Sequence, residues 1–366
     1  MVPTVPGMTP LALFRIQRTG SINPGRPPGY ARQSAGFLTG RRHSCDMTAR
    51  QVSGIYHDPP IWVGARVIDF ARDDRQVLKR LREEVFRGEI GDVIELMVTR
   101  EGLFAFDFEK WTPGRMPADG KDGAPVPFEK MAETQLNRTL VINSFLALLY
   151  TWCLVEQRHL VDRMVATPEL LISMDKLSDD SAMGFGNQRV SHLALSSFES
   201  TYLRDRPIGF DDRLTFRNFE LPVEAISHVV ASLSQLLDNR GLDGLLLVDI
   251  FLRASKSFQD HNCPAALIDY WAVCERLIQE MWAKFQTDNQ IVDKKRRDRL
   301  NDPRTFTAAV TTEVLAFSGS IAVELYEQIS NVRRARNDWI HGLKAPVSAS
   351  DAVEAAGVCR DLIRKF

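Results

Sequence analysis

Apolar residues recur at helical spacing through the last third of the chain. The helices predicted over residues 265–285 and 321–340 carry an apolar stripe with intervals of three or four residues, which is the pattern of a helix that packs on one face. Pro264 opens the second helix at a position that proline tolerates, and Ser348 or Ser350 is expected to cap the last one. The main predicted helices cover residues 242–258, 265–285, 321–340 and 351–366.

The hydrophobic pattern near the N-terminus is different. Alternating apolar residues in 94–99 and 103–108, joined by Arg100-Glu101-Gly102, predict a β-hairpin. Residues 75–86 are rich in charge and predict a short helix. The Pro/Gly-rich run from 111 to 127 is typical of a loop at a boundary. We therefore expect a small α+β region over residues 47–127.

The middle of the chain, residues 128–240, is predicted to be mainly helical. A long helix should run from Phe128 to about Met164, and another should cover residues 223–237. The centre of the first is nearly all apolar, but it is short for a bilayer and Asn143 interrupts it, so a buried core helix is the better interpretation. The whole chain is thus expected to be mainly α, with an antiparallel helical bundle over residues 241–366.

The first 46 residues differ from the rest in composition. Residues 1–45 contain six arginines, no Asp or Glu, and many Pro, Gly and Ser. Such a segment cannot build a core, so it is predicted to be disordered. It mimics an organelle transit peptide. The alternative that we favour is an over-extended start, with Met47 as the true initiator.

Composition and charge narrow the possible functions. Hydrophobic residues make up 44% of the chain and charged residues 25%, as in ordinary soluble proteins. The net charge is −1, so any binding to nucleic acid must come from local patches. The five cysteines are scattered and form no Cys-x-x-Cys pair, which favours a reducing cytoplasm over a disulfide framework. No spacing of metal ligands or cofactor motif is present, so neither a metal nor a cofactor is predicted.

The most informative stretch is Asn331 to Gly342. The apolar stripe of the preceding helix reaches Val332, and its next position is Arg336. An ionised group on a packing face is costly unless it is paired or faces a wet cleft. Asn337 and His341 are four residues apart and share another face of the same helix, and the long side chain of Arg336 could reach that face. A cation, an amide and an imidazole at one helix end suit a phosphate ester.

The run Arg336-Asn337-Asp338-Trp339-Ile340-His341-Gly342 resembles the signature of the HEPN superfamily, in which an Arg and a polar residue precede a short spacer and a His. The resemblance covers the last third of the chain. It implies a small helical bundle that dimerises and cleaves RNA without metal. Arg336 would stabilise the phosphorane, Asn337 would orient the phosphate or the His, and His341 would be general acid or base.

Cleavage requires both an acid and a base, whereas one chain supplies one imidazole, so the resemblance implies a homodimer with a composite site. The rest of the chain would select the target or restrain the nuclease until an unknown trigger arrives, as in a toxin or an antiviral defence effector. A second hypothesis is a non-catalytic HEPN-like module for dimerisation or for nucleotide or RNA binding. A third is an unrelated helical protein in which Arg336 pairs within the bundle and His341 covers its end.

Further residues are expected to support the site. Glu275 lies on the 265–285 helix among Trp271, Ile278 and Trp282, so it needs a partner, and Arg336 is one candidate; a plain surface Glu is the alternative. The charged run 293–299 is typical of a solvated loop, but near a phosphate-handling site it could grip an RNA backbone. The residues expected to bind substrate are Arg333, Lys344, Lys294, Lys295, Arg296 and Arg297.

Overall fold

The computed structural model describes residues 51–57, 61–64, 83–100, 102–117, 126–157, 161–174, 177, 219–342 and 346–365. The predicted N-terminal tail and Lys344 lie outside these residues. The described part of the chain is mainly helical, at 64%, and contains seven α-helices together with a small antiparallel sheet. The predicted fold class is confirmed to that extent.

The sheet has five strands in the order β3-β4-β5-β1-β6, and all of its pairs are antiparallel. The predicted hairpin is confirmed, since β4 pairs with β5 with Val98 opposite Phe104. A separate pair, β2 with β7, is parallel. The strands are β1 (Val52–Tyr56), β2 (Ile61–Val63), β3 (Glu84–Ile90), β4 (Ile94–Thr99), β5 (Leu103–Asp107), β6 (Ile172–Met174) and β7 (Phe219–Leu221).

The prediction of a helix over residues 75–86 is wrong for residues 84–86, which form part of a strand. Residues 75–82 lie outside the described residues. Glu84 and Phe86 pair with Thr99 and Val98 as part of β3. The next turn explains why a strand forms: Gly91 and Asp92 both have positive φ, which reverses the chain tightly enough for β3 to fold back on β4. Tertiary pairing therefore outweighs the local charge pattern.

The first core lies between the sheet and two helices, α1 (Phe128–Glu156) and α2 (Val223–Gln259). Phe145 of α1 packs against the rings of Phe104 and Phe106 at centroid distances of 5.2 and 5.5 Å. The predicted helix begins at Phe128 as expected but ends at Glu156, well before Met164. Its length and composition would suffice to cross a membrane, and 61% of its most apolar window is buried inside the fold.

A buried arginine, Arg138, links several segments of this core by hydrogen bonds. The Arg138 side chain is fully buried, and it donates from Nε to the Gly114 carbonyl at 2.6 Å and from Nη1 to Ser53 Oγ at 2.9 Å. Its Nη2 donates to Gln51 Oε1 at 3.2 Å. Burial lowers the pKa of Arg138 to about 10, so the group is still charged at neutral pH. One side chain thereby joins α1 to the segment that carries β1 and to the loop before α1.

The second core is helical and lies in the last third of the chain. The four helices predicted there are present, and two shorter ones, α4 and α5, lie between the second and third of them. The charged run forms α4, so its prediction as a loop is wrong, although its side chains are exposed as expected. The helices are the second half of α2, α3 (Cys263–Asp288), α4 (Lys294–Leu300), α5 (Ala308–Phe317), α6 (Val323–Gly342) and α7 (Ala349–Ile363).

Helix α2 belongs to both cores. It is interrupted at Gly241, whose φ of 54° and ψ of −142° are not helical, at the gap predicted between the helices over 223–237 and 242–258. Beyond this kink, Leu245 and Leu252 pack into the first core, whereas Leu247 and Ala254 pack into the second. The two cores therefore share the second half of one helix.

Candidate functional site

The predicted motif lies at the end of α6. Leu325, Ile329 and Val332 are buried along this helix, as the apolar stripe predicts. Arg336 takes the next position on the stripe and is half-buried, and the helix ends at Gly342 as expected. The side of α6 that packs on the bundle thus ends in a guanidinium.

Arg336 reaches the neighbouring face of the helix. Its Nη1 donates a hydrogen bond to Asn337 Oδ1 at 2.9 Å, so two of the three predicted catalytic side chains are in contact. Its Nε is buried and has no hydrogen-bond partner among the described residues. A buried donor without an acceptor costs free energy, and a charged donor costs more. The guanidinium therefore retains a donor that the described residues do not use.

His341 is one turn beyond Asn337 and is exposed. The structure records no hydrogen bond from it to any described residue, so its imidazole is available to solvent or a ligand. Arg333, one turn before Asn337, has different surroundings. It lies near the Tyr326 hydroxyl, which donates to the Glu313 carboxylate of α5. That hydrogen bond raises the pKa of Tyr326, and the charge of Arg333 acts in the opposite direction.

Glu275 does not pair with Arg336 among the contacts that the structure describes, so the partner expected for it from the sequence is not found. Arg336 turns instead toward Asn337 on its own helix. Glu275 is half-buried and lines a cavity of about 540 Å³. Its predicted neighbours Ile278 and Trp282 line the same cavity, whereas Trp271 is buried in the core.

The cavity lies among α3, the end of α4 and the start of α5. The Trp282 ring stacks with that of Phe306 at a centroid distance of 5.6 Å and an angle of 24°. The indole Nε1 of Trp282 donates to the Leu300 carbonyl at 3.0 Å. The helical spacing predicts Trp282 beside Glu275, but it gives no sign of Phe306, which comes from a different segment. The lining residues are Glu275, Ile278, Gln279, Trp282, Leu300, Asn301, Pro303, Phe306, Thr307, Ala308 and Thr311.

The predicted basic residues of 294–297 project from α4. Asp293 caps this helix by accepting a hydrogen bond from the Arg296 backbone N–H at 2.7 Å. Lys294, Lys295, Arg296 and Arg297 are all exposed, and none is in an ion pair within the described ranges. Arg297 donates from Nη2 to the Val292 carbonyl at 3.3 Å, so Lys294, Lys295 and Arg296 are the side chains of this run without a partner among the described residues.

Comparisons with known proteins do not assign the chain to a family. No protein-family model, no curated protein and no solved structure matches it. In the described ranges, no three His, Cys, Asp or Glu side chains come together as a metal-binding group. What the site can do therefore follows from the chemistry of its own residues.

Proposed function

We propose that the protein is a metal-independent endoribonuclease with a HEPN-like site of Arg336, Asn337 and His341. The observation that carries the proposal is the state of Arg336: it is held by Asn337, while its buried Nε has no acceptor. A planar guanidinium with unused donors suits a phosphate oxygen, which a lysine would meet only as a point charge. The exposed imidazole of His341 at the end of the same helix would take or give a proton in the reaction.

The chemistry would use the 2′-hydroxyl of RNA as the nucleophile. The 2′-oxygen forms a bond to phosphorus while a general base takes its proton, and the bond from phosphorus to the 5′-oxygen breaks as a general acid protonates the leaving group. Arg336 would donate to the non-bridging oxygens, where charge develops in the transition state. Asn337 would hold the guanidinium and use its Nδ2 on the phosphate. The products are a 2′,3′-cyclic phosphate and a 5′-hydroxyl.

One chain supplies one imidazole at the site, so the proposal includes a two-fold homodimer that apposes two motifs. Ile340 supports an interface there, because this apolar side chain in the last turn of α6 is 41% exposed. A cytoplasmic toxin or antiviral effector is the role that we favour. The free cysteines at 153, 263, 274 and 359 fit a reducing compartment.

The test is RNA cleavage in EDTA by full-length wild type, His341→Ala and Arg336→Ala, with oligomeric state followed by light scattering. Each variant should lose on the order of a hundredfold or more in rate, because each removes one catalytic group. Arg336→Lys should not restore the rate, and DNA should not be cleaved because it lacks the 2′-hydroxyl. His228→Ala is the matched control, since His228 is an exposed histidine of α2.

Loss of cleavage in EDTA, full activity of His341→Ala, or a strict monomer at high micromolar concentration would overturn the proposal. A wild-type dimer that binds RNA but cleaves none of the RNAs offered would instead identify the non-catalytic HEPN-like module.

A further inference from the structure

We infer that the cavity among α3, α4 and α5 binds the guanine base of a nucleotide, with the phosphate directed toward the basic side chains of α4. This inference goes beyond RNA cleavage and does not depend on it, because Arg336, Asn337 and His341 do not line the cavity. Three properties of the cavity carry the inference: its aromatic wall, its two unpaired polar side chains and its charged neighbour.

The aromatic wall suits a flat heterocycle. The cavity volume of about 540 Å³ is within the range of small-molecule sites. Trp282 and Phe306 both line it and stack on each other, and Phe285 continues the same stack at 5.4 Å from Trp282. Trp282 is buried, whereas Phe306 is half-buried, so a base would stack on Phe306 and gain the contact by which proteins hold unpaired bases.

Most polar lining groups already have partners. The Trp282 indole donates to Leu300, Thr311 Oγ1 donates to the Thr307 carbonyl at 3.1 Å, and Asn301 Oδ1 accepts from Gln286 at 2.8 Å. Glu275, which is half-buried, and Gln279, which is exposed, are different, because no hydrogen bond joins either side chain to another described residue.

Glu275 and Gln279 are four residues apart on α3, so they lie on one face of the helix, beside the ring of Trp282. They are the groups left to recognise a ligand.

These two side chains select guanine among the bases. A carboxylate is an acceptor only, and guanine presents two adjacent donors, N1–H and the N2 amino group, on its Watson–Crick edge. The Gln279 amide can donate to the neighbouring O6. Adenine places an acceptor, N1, beside its amino group, and this nitrogen would face the Glu275 carboxylate. Cytosine has the same arrangement, and uracil places its single N–H between two carbonyl oxygens.

The basic side chains of α4 would bind the phosphate. Leu300 is the last residue of this helix and also lines the cavity, so the basic helix adjoins the cavity wall. Lys294, Lys295 and Arg296 are exposed and have no carboxylate in ion-pair distance within the described ranges. The same chemistry would recognise a free guanine nucleotide or one guanosine unit of single-stranded RNA.

The first test is calorimetric titration of the full-length protein with GMP, IMP and AMP. GMP should bind on the order of tenfold tighter than AMP, and tighter than IMP, which lacks the N2 amino group. Glu275→Gln should weaken GMP binding by about tenfold and remove the preference for GMP over IMP, because one acceptor oxygen becomes a donor. Glu327→Gln, an exposed carboxylate of α6 away from the cavity lining, is the matched control and should bind GMP as the wild type does.

The second test distinguishes recognition of the phosphate from recognition of the base. It also distinguishes a free nucleotide from RNA as the ligand. The double variant Lys294→Gln, Lys295→Gln should weaken GMP binding but leave guanosine binding unchanged, with Arg334→Gln as the control. An oligoribonucleotide with a single guanosine that binds tighter than GMP identifies RNA as the source, and the reverse order identifies a free nucleotide.

Thermal melting of each variant checks that the fold is retained. His341→Ala should bind GMP with the affinity of the wild type, because His341 does not line the cavity. A protein that cleaves no RNA can therefore still bind GMP as inferred here. Equal affinity for the three nucleotides, no GMP binding at millimolar concentration, or a folded Glu275→Gln protein that binds GMP as wild type does would overturn it.

Discussion

Arg138 in the first core and Arg336 at the edge of the second core differ in how many of their donor groups are hydrogen-bonded. Arg138 in the first core donates from all three of its nitrogens to groups of the fold, and it is fully buried. Arg336 at the edge of the second core has one recorded hydrogen bond, to Asn337, and a buried Nε without an acceptor. Arg138 therefore links separate parts of the fold, whereas Arg336 keeps a donor that no described residue accepts.

Other polar side chains of the two cores also differ in their partners. The first core also contains a closed polar network, in which Asn143 Nδ2 donates to Asp249 Oδ1 at 2.6 Å and Arg253 Nε donates to Asp249 Oδ2 at 2.8 Å. In the bundle, Glu275 is half-buried and Gln279 is exposed, and neither side chain has a hydrogen-bond partner among the described residues. A buried polar atom without a partner needs an explanation, and among the described residues there are two: Nε of Arg336 in the bundle and Oε1 of Gln135 on α1. Arg336 is thus the charged side chain whose buried donor the described residues leave without an acceptor.

The strongest way to break this comparison is to remove the two arginines in turn. Arg138→Ala should lower the free energy of unfolding by about 3 kcal/mol or more, because it leaves buried acceptors unpaired and a void behind. Arg336→Ala should change it by no more than about 1 kcal/mol, since its Nε satisfies nothing in the fold. Urea unfolding of both variants measures the difference. Equal losses of unfolding free energy would show that Arg336 stabilises the fold as Arg138 does.

The next test addresses the kink that the cores share. Gly241→Ala should lower the unfolding free energy by about 1–3 kcal/mol, because a side chain is strained at this positive φ. Steric crowding is not the reason, since a Cβ at Gly241 would meet no atom within 4 Å. Thermal melting would show the loss as a lower Tm. An unchanged Tm would mean that the kink can relax into continuous helix without cost.

The smallest effect is expected at Gly357, which is the matched control for Gly241. It lies inside α7 with ordinary helical φ, and a Cβ there would also meet nothing within 4 Å. Gly357→Ala should raise the unfolding free energy by about 0.5–1 kcal/mol, because alanine loses less backbone entropy on folding. The same melting experiment measures it, and a destabilised variant would contradict the described course of α7.

The sequence predicted those elements whose side chains carry a long periodic signal. The stripe of α6 from Leu325 to Val332 is an example. Elements fixed by their neighbours were missed: β3 depends on pairing with β4 across the turn at Gly91, and α5 is a short helix whose β-branched residues weaken its helical signal. The capping of α5 by Thr307 was the available sign of a helix start.

The same distinction applies to the candidate site. Arg336 and Asn337 are adjacent in the chain, so their contact follows from a motif. The cavity joins Trp282 to Phe306, which belong to different segments, and no spacing in the sequence brings them together. The expected partnership of Glu275 and Arg336 depended on the relative rotation of two helices, which periodicity does not determine.

The shared helix α2 has a consequence for modularity. A fragment that begins after the kink would retain every helix of the bundle, yet it would expose Leu245 and Leu252, which are buried in the other core. It would also strip Asp249 of its bond to Asn143. We therefore expect the isolated bundle to be less stable than the same helices in the full chain, because the second half of α2 is built to contact both cores.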